Sequence, residues 1–217
     1  MISPGRLRSG YRRRLDERIH ARLAAERAVA AVALNLGCGS KPIPGVINCD
    51  LHSDLADRRV DALDLSGFDA GSVDLVEHHH LLEHLSISDA QAGFAEWWRV
   101  LRPGGLLVIT CPDLDAVART WLRAGHEARW TEVIHFIYGS QEHPGMFHRS
   151  GYDRRRLVEL LGRHGFEVVF WSSPFPRRAT PSMVVVGRKP IPGRPSPGPQ
   201  AGRPLRWLLG RPSAARS

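Results

Sequence analysis

No uncharged apolar run in this 217-residue chain approaches the 18 or so residues of a membrane-spanning helix. The basic N-terminus is followed by no apolar stretch of the kind a secretory leader carries. Cysteine is scarce: Cys38, Cys49 and Cys111 lie in or beside predicted strands, without CxxC or Cys/His ligand spacing. They read as reduced core residues of a cytoplasmic protein, and no disulfide is expected. The formal charge of +8 is concentrated at the ends. Residues 1–27 carry eight Arg against three acids, and residues 188–217 carry six Arg and one Lys against none. The stretch between is mildly acidic and has no stripe of Lys and Arg, so nucleic acid is not the expected partner. The basic ends read as solvated tails, with RNA contact or weak peripheral contact with anionic lipid as the alternatives.

The informative stretch is Ala33 to Leu51. A short apolar strand breaks into Gly37-Cys38-Gly39, and a second strand ends in Asp50. Strand, glycine turn, return strand and terminal acid make the first half of a nucleoside-binding α/β unit. Glycine lets the backbone approach a ligand, and a carboxylate accepts both hydroxyls of a ribose. A dinucleotide fingerprint has a third glycine and an acid some 20 residues further on. Here Pro42 takes the glycine's place, and Pro42-Ile43-Pro44-Gly45 leaves no room for a crossover helix. A pyrophosphate would lack a helix N-terminus to sit on, which argues against NAD or FAD.

These residues resemble the class I S-adenosylmethionine (SAM) dependent methyltransferases. Leu36-Gly37-Cys38-Gly39 is similar to their first motif and Asp50 to their ribose acid. Val60 to Leu65 resembles the third-strand segment, with Asp61 toward the adenine amino group and Asp64 the weaker candidate. Ser72 to Val76 running into His80-Leu81-Leu82-Glu83-His84-Leu85 resembles the fourth strand and its helix start. Arg99 to Gly105, then Leu106 to Thr110, resembles the LxPGG turn and fifth strand. Four motifs in order span about residues 32–112. The resemblance implies a Rossmann-like α/β fold, a seven-stranded mostly parallel sheet with an antiparallel last strand and helices on both faces. It implies SAM as cofactor, held by Gly37, Cys38, Gly39, Asp50, Leu51, Asp61, Ala62, Leu63 and His78. The short first crossover is similar to a bacterial, methyltransferase type 11-like subgroup linked to glycan or cell-surface chemistry.

Residues 1–30 are expected as a basic extension with a helix over 11–30, its apolar stripe Leu15, Ile19 and Leu23 packing on the domain or helping to cover the cofactor. The methyltransferase domain is assigned to 31–188 and a disordered Pro/Arg-rich tail to 189–217, with a short turn at Leu205 to Leu209. Ser88 is the predicted cap of a helix carrying Phe94, Trp97, Trp98 and Leu101. Residues 113–150, rich in His and aromatics, are read as a substrate lid. No metal is expected: His78, His79 and His80 alternate in direction at a strand end and cannot converge on one ion. His80 and His84 have helical ligand spacing, but the resemblance gives them a motif that needs no metal.

Methyl transfer from a sulfonium requires a nucleophile brought within about 3–3.5 Å of the methyl and the exclusion of water. A hydroxyl nucleophile also needs a base. His80, His143, His148 and Asp113 lie toward the ligand-binding end of the sheet. The expected reaction is O-methylation of a small polar or glycan acceptor, with His80 or His148 as base and Asp113 near the methyl. A macromolecular acceptor and a non-catalytic binding module remain as alternatives.

Overall fold

The computed structural model describes residues 4–173, 181–193, 207–208 and 212, with side chains from residue 15 onward. Helix α1 (Pro4–Val29) precedes strands β1 (Ala33–Leu36), β2 (Ile47–Asp50), β3 (Arg58–Arg59) and β4 (Val73–His79). A 3₁₀ turn at Leu82–His84 and helix α2 (Ile87–Val100) lead into β5 (Leu101–Pro112). There follow α3 (Leu114–Arg123), the short α4 (His126–Ala128) and α5 (His135–Tyr138), then α6 (Arg154–Arg163), β6 (Glu167–Ser172) and β7 (Ser182–Arg188).

The strands form one sheet in the order β3-β2-β1-β4-β5-β7-β6. Only β7 runs against its neighbours. Strands β1, β4 and β5 are central and covered on both faces, which is why they read as near-continuous apolar runs. Alternation along β4 divides the core: Val76 joins Leu36, Phe94, Trp97 and Leu161 on one face. Leu75 joins Ile19, Leu23, Val108 and Phe170 on the other. The α1 stripe therefore packs on a sheet face, each fully buried Leu or Ile contributing about 1.5–3 kcal/mol.

Several local expectations shift. Helix α1 begins earlier than the predicted residue 11. The cap of α2 is Ser86, whose hydroxyl accepts the Asp89 N–H at 3.1 Å, while Ser88 lies inside the first turn. Extended backbone at Ser86 aims its side chain at the free amides, which Ser88 cannot do. Leu101 leaves α2 for β5, and Pro103-Gly104-Gly105 bulges from the ladder, since Val73 pairs with Leu101 but Leu75 with Leu106. Gly104 takes φ +82° there and donates to the Lys189 carbonyl. The tail assigned to 189–217 falls largely outside the described residues. Within it, Trp207 is buried and stacks on Phe170 with ring centroids 5.1 Å apart.

Candidate active site

Strand β1 ends at Leu36, and the chain turns through Gly37 (φ +64°) and Gly39 (φ +51°), a region costly for residues with a Cβ. A Cβ on Gly37 would lie 3.0 Å from Leu81 Cδ1, so that glycine also serves close packing. Cys38 is buried and its N–H donates to the Cys49 carbonyl at 3.1 Å. The absent crossover helix is replaced by a loop held on one side chain. Asn48 Oδ1 accepts from Ile43 N at 2.7 Å and Asn35 Nδ2 at 3.0 Å, and its amide donates to the carbonyls of Ile43 and Val46. The short connection thus keeps its backbone groups paired without a helix.

At the tip of β2, Asp50 Oδ2 accepts the Gly39 N–H at 2.8 Å, and Oδ1 accepts those of His52 and Ser53 at 2.8 and 2.9 Å. Burial pushes this carboxyl up, but the three backbone donors outweigh it and hold it below the usual carboxylate range. A carboxylate has about four lone-pair directions, so with three taken by amides one, on Oδ2, remains for a ribose hydroxyl. Leu51 beside it is exposed. Asp61 is exposed and Oδ1 accepts the Leu63 N–H at 2.9 Å. Ala62 and Leu63 are half-buried, and the Ala62 carbonyl accepts Trp97 Nε1 at 2.9 Å, fixing this segment against α2. Asp64 makes a similar local turn with Ser66.

His78, expected beside the cofactor, lies inside the sheet. Strand β4 continues to His79, so His78 is an interior strand residue, fully buried, with its ring 4.7 Å from that of Trp97. Burial drives its pKa down to about 3, keeping the ring neutral. Neither ring nitrogen has a hydrogen-bond partner among the described residues.

The chain leaves the sheet at His80, a non-glycine residue at φ 57°, pinned by its N–H to the Thr110 carbonyl. Such backbone strain clusters at functional sites. His80 Nδ1 lies 2.8 Å from Glu83 Oε1, and Glu83 is almost wholly buried. The 3₁₀ turn also brings His84 forward, its ring 4.9 Å from that of His148. Backbone ties hold the end of the insertion to this turn, since Arg149 and Ser150 both donate to the Glu83 carbonyl. The residues read as a substrate lid form a folded helical segment (α3 to α5), closed by a bridge between Gly139 and Phe147. His148 is half-buried, which lowers its pKa. A cleft beside it is lined by Glu83, Pro112, Leu114, Phe136 and Tyr152.

Asp113 lies at the carboxyl end of β5 as expected, but its carboxylate is engaged. It is 2% exposed, caps α3 through the Asp115 N–H at 3.1 Å and accepts the Ser173 hydroxyl. Burial pushes its pKa up. His143 is exposed.

A second polar chain escaped the sequence reading. Arg27 holds both oxygens of Glu77 at 2.7 Å; Glu77 Oε2 meets His79 Nε2 at 3.1 Å, and His79 Nδ1 meets Thr110 Oγ1 at 3.2 Å. Its members come from α1, β4 and β5, and no local spacing links them. The one available signal was an acid inside an apolar strand, which has to be paired when buried.

Residues 34–109 match a family described as a methyltransferase domain. No curated protein matches the chain. Among solved structures, a SAM-dependent methyltransferase from Archaeoglobus fulgidus is 13% identical with TM-score 0.54, covering 82% of this chain and 94% of that one. One from Methanosarcina mazei is 18% identical (TM-score 0.52; 73% and 92% covered). The 1,6-didemethyltoxoflavin-N1-methyltransferase of Burkholderia thailandensis, bound to its substrate and S-adenosylhomocysteine, is 15% identical (TM-score 0.52; 88% and 92% covered). Across residues 34–109 the chain thus matches a methyltransferase domain, and its fold is that of SAM-dependent methyltransferases.

Proposed function

We propose that the chain transfers the SAM methyl group to a hydroxyl of a small polar acceptor, such as a sugar, a glycan or a related metabolite, with His80 as general base. The observation that carries this reading is the 2.8 Å contact between His80 Nδ1 and the buried Glu83 carboxylate. A carboxylate on Nδ1 fixes the tautomer that leaves Nε2 free to accept a proton, and it stabilises the imidazolium that results. The hydroxyl proton passes to Nε2 as the oxygen bonds to the methyl carbon; the carbon–sulfur bond breaks and S-adenosylhomocysteine leaves. An amine or thiolate acceptor would have little need of such a base.

The cofactor itself is assigned to the loop of Gly37, Cys38 and Gly39, to Asp50 with Leu51 for the ribose, and to Asp61, Ala62 and Leu63 for the adenine. His78, buried in the core, is left out of this set. Asp113 is given the role of fixing the start of α3 rather than touching the methyl, on the strength of its two engaged oxygens.

The test is a screen with methyl-labelled SAM over hydroxylated acceptors (monosaccharides, polyols, glycan fragments), alongside RNA and protein extracts. Labelling of a hydroxyl, with kcat reduced about 10²–10⁴-fold in His80→Ala and SAM affinity kept, supports the reading. Labelling confined to RNA or protein would replace it with the macromolecular alternative.

A further inference from the structure

Beyond the His80 contact, the turn after β4 and the end of the insertion bring a second constellation together. One ligand atom each from Glu83, His84 and His148 lies within 4.8 Å of the others. Two histidines and one carboxylate at that separation are a metal-binding donor set. Sequence spacing hides it, because His148 lies far along the chain and reaches the turn only through the folded insertion.

Three further features fit an ion better than mere packing. His84 Nδ1 lies 3.1 Å from the Phe147 carbonyl, and His148 Nδ1 lies 3.2 Å from that of Phe136. A carbonyl can only accept, so each neutral ring carries its proton on Nδ1 and presents the Nε2 lone pair, which is how metal-bound histidines are oriented. Glu83 is 1% exposed, and while Oε1 meets His80, Oε2 has no hydrogen-bond partner among the described residues. A buried carboxylate oxygen without a donor is costly unless a cation completes it. Finally, the turn and the insertion are locked to each other by the Arg149 and Ser150 amides on the Glu83 carbonyl. The donors are therefore held on ordered backbone, as a preformed site needs.

We propose that Glu83, His84 and His148 bind a divalent first-row transition metal, with Zn²⁺ the ion that best suits a His₂Glu donor set. Three protein ligands leave a coordination position for water or an acceptor oxygen. On the hydroxyl-acceptor reading above, on which this role alone rests, that position lies in the cleft lined by Glu83, Pro112 and His148. Metal binding itself requires no methyl transfer.

The full-length protein, stripped with a chelator, is titrated with Zn²⁺ by calorimetry and with Co²⁺ by absorption spectroscopy, with S-adenosylhomocysteine affinity measured separately. One ion per chain is expected, with the visible ligand-field bands of a low-coordinate Co²⁺ site. His84→Ala and His148→Ala should each weaken Zn²⁺ by about tenfold or more, Glu83→Gln likewise, while cofactor affinity is unchanged. The exposed His126→Ala should behave as wild type. Failure of the folded protein to bind Zn²⁺ or Co²⁺ overturns the proposal, and so does binding that survives all three ligand substitutions. Loss of S-adenosylhomocysteine binding with metal binding intact would count against the methyl-transfer reading instead.

Discussion

Arg27, near the end of α1, holds both carboxylate oxygens of Glu77 in the middle of the sheet, at 2.7 Å each. Glu77 is fully buried, so the arginine is what allows an ionised acid to sit within β4. Replacing Arg27 with Met leaves that charge uncompensated. The expected cost is about 2–4 kcal/mol at neutral pH, read from urea denaturation. A change below about 0.5 kcal/mol would mean that the pair contributes nothing.

The same pair has a pH signature. Burial pushes the Glu77 carboxyl up, but hydrogen bonds from Arg27 and His79 outweigh it and hold the folded-state pKa below its ordinary 4.5. A depressed carboxylate contributes stability above the unfolded pKa and loses it as pH falls through the folded value. The stability difference between wild type and Glu77→Gln is thus expected to be constant near neutrality and to shrink below about pH 4.5. Denaturation at a series of pH values checks the sign; a difference that widens on acidification would reverse the assignment.

Asp50 gives the cofactor prediction. Asp50→Ala removes both the proposed ribose acceptor and the anchor of the Gly39, His52 and Ser53 amides. S-adenosylhomocysteine binding is expected to weaken by about 1.5–3 kcal/mol, measured by calorimetry on protein shown to be folded by circular dichroism. Unchanged affinity would remove Asp50 from the site.

The two turn glycines should separate conformational from steric cost. A Cβ on Gly39 meets nothing within 4 Å, so Gly39→Ala carries only the left-handed backbone cost of about 1–2 kcal/mol. Gly37→Ala adds the 3.0 Å approach to Leu81. Chemical denaturation should rank Gly37→Ala as the less stable variant, and equal stabilities would show that Leu81 yields freely.

Trp207 stacks on Phe170, and the Arg22 guanidinium lies 5.0 Å from its ring centroid. Trp207→Ala is expected to lower stability by about 2–4 kcal/mol, seen as a depressed Tm. An unchanged Tm would reduce this contact to surface decoration.

Much of this protein can be read without its structure because its core elements are local. Ala33 to Leu36 is an apolar strand by its own run, Gly37 and Gly39 break it by their own backbone freedom, and Asp50 follows a fixed short strand later. The stripe of Leu15, Ile19 and Leu23 and the aromatics of α2 likewise point to core faces from helical spacing alone.

Tertiary structure decided whatever depended on which chain ends meet. Ser86 rather than Ser88 caps α2, because a cap is set by the dihedrals of one residue and not by its type. His78 is a core residue because β4 runs longer than its apolar stretch, carried on by pairing with β5. Glu77 finds Arg27, and Glu83 and His84 meet His148, across separations that no periodicity spans. The sequence by itself determined the order of strands, turns and acids that makes the nucleoside-binding end, since each follows from local backbone preference and hydrophobic pattern. Folding alone brought charged and metal-ligating side chains together, because their contacts are long-range and depend on which faces the sheet and the insertion present to each other.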